Sequence, residues 1–223
     1  MQIGAASATK EGSDISGDAD SHEAFADGRY MLLLCDGMGS GRRAARESRV
    51  AVSLMEDFYK AGFAEADIIE MLNKLLILSS SDDIYSTMDL AMLDLVQGTA
   101  RFIKIGAPHS YLVEIGGLRK LRAAVSPMGI LEEYEPIFYE RQSRMQRHHP
   151  HVYRRIADME DSDDALHAAI RRAGRLRNAQ EAAEAILDAA KRGGGGVAGD
   201  DMTVLGGNHH PTGPKTLICG KAA

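Results

Sequence analysis

A chain of 223 residues, 44% hydrophobic and 26% charged, is long enough to bury a substantial core and is ordinary for a soluble globular protein. Its net charge of −6 argues against a nucleic-acid partner. It carries neither a signal peptide nor an apolar run of membrane length, so no membrane contact by this domain is expected. The two cysteines, Cys35 and Cys219, lack metal-binding spacing, which places the chain in a reduced, cytoplasmic setting. Its abrupt start inside a first strand fits the cytoplasmic piece of a longer, membrane-anchored protein.

Gln2 to Lys10, rich in small residues, reads as an edge strand. Glu11 to Ser21 is polar and reads as a loop containing Asp14, Asp18 and Asp20. Asp18 differs from the others because Gly17 frees its backbone. If the strand Tyr30 to Cys35 paired back on the first, Asp18 would come near Asp36.

Met31 to Cys35 is a short apolar run that ends in Asp36 and a loop with glycines at 37, 39 and 41. That pattern reads as a buried strand holding an acidic residue where the strand stops. A phosphate loop is one reading, but it needs a Lys and a Ser or Thr after its last glycine, and Arg42 and Arg43 stand there. An ordinary tight turn is the second. A metal site is the third, and it gains weight as other acidic residues converge.

Arg42 to Phe63 reads as a long helix with Ala45, Ser48, Val52, Met55 and Tyr59 on one face. Its basic first turn is unusual, since cations favour helix C-termini. Plain solvation explains it, and so does contact with an acidic partner or a phosphate. Gly62 ends the helix, and Glu65 to Leu78 forms a second, antiparallel to the first. Leu90–Leu95, Ala100–Ile105, Ser110–Glu114 and Leu118–Leu121 then read as an antiparallel meander. Strands, a helix pair and more strands predict a layered α+β sandwich rather than alternating βαβ units.

Four motifs occur in order: Ser16-Gly17-Asp18, Cys35-Asp36-Gly37-Met38-Gly39-Ser40-Gly41, Ile84-Tyr85-Ser86-Thr87-Met88-Asp89-Leu90 and Gly199-Asp200-Asp201-Met202-Thr203. Together they resemble the phosphatase domain of stage II sporulation protein E of endospore-forming bacteria. That domain is of the PPM class of metal-dependent serine/threonine phosphatases. The resemblance covers residues 1–140 and 178–205. It implies a single domain over 1–223, an α-β-β-α sandwich of two antiparallel sheets flanked by helix pairs, holding two Mn²⁺ or Mg²⁺ ions.

By the same resemblance Asp36 bridges both metals and the Gly37 carbonyl binds one. Asp18 holds an ion directly or through water, and Asp200 binds the other, with Asp201 a neighbouring candidate. Asp36 and Asp200 are the expected catalytic residues. Hard dications prefer oxygen ligands and keep several waters, in agreement with this donor set. The implied substrate is phosphoserine on a small anti-sigma-factor antagonist, so the chain would act in sporulation through sigma-factor regulation. Helices 41–78 fall where that family places its regulatory and dimer-forming helices.

Between 141 and 177 the sequence departs from the pattern. An apolar strand ending in a second Asp-Gly is expected there, and Arg141 to Arg155 holds neither. His148, His149 and His151 invite a zinc reading, but Pro150 interrupts them, and a solvated basic loop is the simpler account. Residues 206–223 depart as well, with Gly206-Gly207-Asn208-His209-His210-Pro211 where a closing strand is expected. Both segments fit disorder or translation out of frame. Three of the four expected acidic positions are present, which leaves a second function open: a catalytically impaired, partner-binding relative.

Overall fold

The computed structural model describes residues 1–37, 41–79, 85–114, 117–122, 126–131, 137–142, 151–154, 164–208 and 219–220. The elements are β1 (Gln2–Ala8), β2 (Asp18–Ala24), β3 (Arg29–Gly37), α1 (Arg42–Lys60), α2 (Glu65–Ser79), β4 (Ser86–Asp94), β5 (Thr99–Ile105), β6 (Ser110–Glu114), β7 (Gly117–Leu121), β8 (Ile137–Gln142), β9 (His151–Arg154), α3 (Asp164–Ala173), α4 (Ala179–Gly193), β10 (Met202–Asn208) and β11 (Cys219–Gly220).

An antiparallel sheet of order β2-β3-β4-β5-β8 forms one inner layer. Two smaller antiparallel sheets, β1-β10-β11 and β7-β6-β9, form the other, with β10 lying against β9. Helices α1 and α2 cover the first layer. Ala51, Val52, Met55, Ile68, Ile69 and Leu72 pack there on Met31, Leu33, Met88, Leu90 and Ile103. On the far side Ile170, Ala182, Ile186 and Leu187 of α3 and α4 pack on Tyr111, Met202 and Val204. Between the sheets lie Leu32, Ala91, Phe102, Leu112 and Leu205. The four-layer order is the predicted α-β-β-α sandwich.

Helix α1 buries Ala44, Ala45, Ser48, Ala51, Val52, Met55 and Tyr59, the stripe its sequence period implies. Strands β3 and β4 are buried on both faces because helices cover one side and a sheet the other; β3 reads as a continuous apolar run from Met31 to Cys35, whereas β4 buries a polar head, Ser86, Thr87 and Asp89, before its apolar run.

Several expectations are corrected. Strand β1 does lie at a sheet edge, but it pairs with β10 in the second sheet rather than with β3. The partner of β3 is β2, which falls within the stretch read as a polar loop. An edge strand needs few apolar residues, and β2 buries only Ala19 and Ser21 of its seven. Strand β4 starts at Ser86, four residues before the apolar run.

The segment 141–177 carries strand as well as loop. Strand β8 pairs with β5, β9 pairs with β6, and α3 buries Leu166, Ala169, Ile170 and Ala173. Strand β10 runs on to Asn208 and pairs with Cys219–Gly220, so Gly206-Gly207-Asn208, read as a departure from the expected closing strand, is strand. A Cβ on Gly207 would stand 2.1 Å from Met1 Cε and 3.4 Å from Leu32 Cδ1. Glycine there reflects close packing, not a turn. His148 and His149, and any ligand within 155–163, lie outside the described residues.

Candidate metal centre

The register of β2 on β3 sets Asp18 directly opposite Asp36, and that of β3 on β4 sets Asp36 opposite Thr87. Directly opposed residues share a face of a sheet. Asp18, Asp36 and Thr87 therefore form a row across three strands, at the end where β3 hands over to α1. Asp36 is 2% exposed. Its backbone carbonyl accepts from Ser86 Oγ at 2.9 Å, which ties the strand end to β4.

Gly37 is required by space. A Cβ there would stand 2.3 Å from the Ala44 carbonyl oxygen in the first turn of α1, a distance that backbone cannot yield. Its amide donates to the Gly17 carbonyl at 3.3 Å. A Cβ on Gly17 would in turn lie 3.2 Å from Ala44 Cβ and 3.3 Å from the Gly37 carbonyl oxygen. Two glycines thus bring the β1–β2 connection, the end of β3 and the start of α1 to one point. Met38, Gly39 and Ser40 lie outside the described residues.

The turn before β10 joins the same point. Asp201, 4% exposed, accepts from the Lys10 amide through Oδ1 at 2.8 Å and from the Gly17 amide through Oδ2 at 2.6 Å. Two backbone N–H groups on one carboxylate make a strong, charge-assisted clamp. Thr203 Oγ1 donates to Asp18 Oδ2 at 2.8 Å and orients that carboxylate. Asp200 Oδ1 accepts from the Asp201 amide at 2.9 Å and lies 3.8 Å from Lys10 Nζ.

Asp18 and Asp36 therefore stand as a pair. Among the described residues, no three His, Cys, Asp or Glu side chains stand close enough together to hold one ion. Asp200 is brought to the same end of the sandwich by the Asp201 clamp, with Lys10 beside it. The pair nevertheless suits a hard cation. Two carboxylates and a carbonyl are oxygen donors of the right kind, and the remaining positions would be water. The buried Thr87 Oγ1, in the same row, has no hydrogen-bond partner among the described residues. A buried hydroxyl in that state is suited to an ordered water or a ligand oxygen.

Thr87, Thr203, Ser86 and Lys10 were not singled out as site residues from the sequence. The signal for Thr87 and Ser86 was the polar Ser-Thr-Met-Asp run at the head of an apolar strand. The roles of Lys10 and Thr203 depend on chain segments more than 180 residues apart coming together.

This sandwich with an acidic end is the fold of the PP2C-type phosphatase domains. The PP2C phosphatase domain of SpoIIE from Bacillus subtilis, solved with a fragment of its regulatory domain, superposes with a TM-score of 0.74 at 27% identity, covering 92% of this chain and 61% of that one. RsbX, solved in complex with magnesium, shares the fold at 16% identity, with a TM-score of 0.64 over 89% of this chain and 90% of that one. The stage II sporulation protein E (SpoIIE) family matches residues 26–146, more than half of the chain. The chain belongs to that family. Stage II sporulation protein E of Priestia megaterium is 33% identical over 92% of this chain, which spans 36% of that relative's length.

Proposed function

We propose that this chain is a metal-dependent protein serine phosphatase that hydrolyses phosphoserine on a small anti-sigma-factor antagonist. The observation that carries this reading is the Asp18–Asp36 pair, opposed in register at the strand end beside Gly37. Asp36 would bridge two ions, the Gly37 carbonyl would bind one of them, Asp18 would hold one directly or through water, and Asp200 would hold the other. Two Mn²⁺ or Mg²⁺ ions, when bound, supply an acidified water and neutralise charge on the phosphoryl oxygens.

The chain's own residues do the rest. Thr203 holds Asp18 in one rotamer, and Asp201 pins the Gly17 turn against Gly37. Asp201 thereby acts as a positioning residue, with one backbone N–H on each of its oxygens; the lone pairs left over keep it a neighbouring ligand candidate beside Asp200. Thr87 offers a buried hydroxyl to a water or a phosphoryl oxygen. Neither Cys35, which is buried in the core, nor any serine is needed as a nucleophile.

The test is release of phosphate from a phosphoserine protein with Mn²⁺, comparing this chain with Asp36→Asn. Activity that the substitution abolishes is the expected result. A folded protein that is inactive in both forms overturns the reading.

One observation favours a second reading. The described residues offer a pair of carboxylates rather than a cluster of three, and the sequence between 141 and 177 has no Asp-Gly. A catalytically impaired, partner-binding domain would bind Mn²⁺ weakly and bind the phosphoprotein without turning it over.

The proposed homodimer through helices 41–78 draws support from apolar side chains left open on α2: Leu75 at 42% and Leu78 at 83% exposure. No helix among the described residues is long and apolar enough to cross a membrane, in keeping with a cytoplasmic site of action, which stays part of the proposal.

A further inference from the structure

The chain carries a net charge of −6, yet α1 opens with cations. Arg42, Arg46 and Arg49 are exposed and stand at i, i+4 and i+7, which makes one stripe on the helix. With Ile15, Ala45 and Val50 they line a groove of about 390 Å³, a volume within the ~300–1,000 Å³ of ordinary ligand sites. No acidic residue stands in the first turn of α1 to balance the stripe, and no side chain caps it. The N-terminal end of a helix is already positive, so cations there oppose the helix dipole.

Nearby cations are treated differently. Arg43 pairs with Glu47 at 3.2 Å, and Lys60 pairs with Glu23 at 2.8 Å. No carboxylate among the described residues pairs with Arg42, Arg46 or Arg49. Position adds the second argument. Ala45 of the groove follows Ala44, which closes on Gly17 and Gly37, and Ile15 lies three residues before Asp18. The stripe thus runs away from the acidic centre along the surface of α1.

We propose that this groove docks an acidic segment of the phosphoprotein partner, next to the phosphoserine presented to Asp18 and Asp36. The identity of the partner rests on the phosphatase reading above; the chemistry of the groove does not. Guanidinium forks match carboxylates bidentately, and Val50, 50% exposed, adds an apolar contact at the rim. A long polyanion is disfavoured, because the acidic centre repels whatever continues past the stripe. A short acidic stretch beside a single phosphate meets only the arginines.

The test is a binding measurement on the full chain in EDTA, so that no turnover occurs. Two fluorescein-labelled phosphoserine peptides are compared by anisotropy, one flanked by Asp and Glu and the other with Asn and Gln in their place. The acidic peptide should bind at least about tenfold tighter at ~50 mM salt, with the preference fading towards ~500 mM. Arg46→Glu/Arg49→Glu should remove the preference. If circular dichroism shows that this variant does not fold, Arg46→Gln/Arg49→Gln carries the same expectation. Equal affinity for the two peptides overturns the proposal, as does a preference that survives in the folded variant. Tighter binding of an RNA oligonucleotide of equal charge also overturns it. Because phosphate release is not read, a groove that fails and a phosphatase that fails give separate results.

Discussion

At the residue scale the centre depends on a few atoms with no room to move. Gly37→Ala places a methyl group 2.3 Å from the Ala44 carbonyl, and overpacking of that kind costs about 1–3 kcal/mol. Urea unfolding should show that loss. Asp201→Asn keeps the volume but turns an acceptor into a donor that faces the Lys10 or Gly17 amide. If Asp201 positions the centre, the Mn²⁺ concentration giving half-maximal binding should rise about tenfold, a change equal to ~1.4 kcal/mol. Metal titration followed by tryptophan-free near-UV signal or calorimetry reads this without turnover. Asp201→Glu, which cannot reach both amides in the same geometry, should restore little of the affinity. Unchanged binding in Asp201→Asn would return Asp201 to the structural background.

At the element scale a buried polar trio ties the two layers together, in addition to the Thr203–Asp18 bond. Lys104 on β5 is fully buried, pairs with Asp89 on β4, and donates to Ser110 Oγ on β6 at 2.8 Å. Ser110 Oγ in turn donates to Asp89 Oδ2 at 2.6 Å, so the trio bridges the first sheet and the second. Removing one partner leaves a buried charge uncompensated, at a cost of about 3–5 kcal/mol. Lys104→Met should therefore lower the urea midpoint sharply, and Lys104→Met/Asp89→Leu should recover much of the loss. On the helix side Met55, fully buried between α1 and the sheet, anchors the same layer. Met55→Ala should cost about 2–5 kcal/mol, read in the same unfolding experiment.

At the scale of the whole molecule the acidic end is assembled from three distant stretches: the turn before β2, the end of β3 and the turn before β10. Like charges gathered there repel one another until a cation is bound, so metal binding should couple to stability. At a Mn²⁺ concentration of about 100 times its Kd the folded state gains ~2.7 kcal/mol. The thermal midpoint should rise with Mn²⁺, return on adding EDTA, and stay flat in Asp36→Asn. A midpoint equally insensitive to Mn²⁺ in the unsubstituted chain would point to the impaired reading. For the segment 141–177, reading the encoding DNA in the other frames decides whether an apolar strand ending in Asp-Gly has been lost. If no frame restores one, that account fails.

Much of the architecture was legible in the sequence because its signals are local. The 3.6-residue period of α1, the apolar run of β3 and the hairpin spacing of β4 to β7 each report burial on a single element. The acidic residue at the end of β3 was legible for the same reason, since an apolar strand ending in Asp-Gly is a pattern a few residues long. Strand β2 was not, because an edge strand flanked by loops needs almost no apolar residues. Nor were β8 and β9, at the start of and within the basic stretch, where pairing with β5 and β6 supplies the order that periodicity does not announce, nor α3 beyond it, whose apolar face packs on α4. The nearness of Asp18 to Asp36 was legible, but the partnership of β1 with β10, the clamp of Asp201 on Lys10 and Gly17, and the addition of Thr87 to the Asp18–Asp36 row were decided by tertiary structure alone. They join residues up to about 190 positions apart. Local propensity carries no information about such register, and the closing of one sheet upon another sets it.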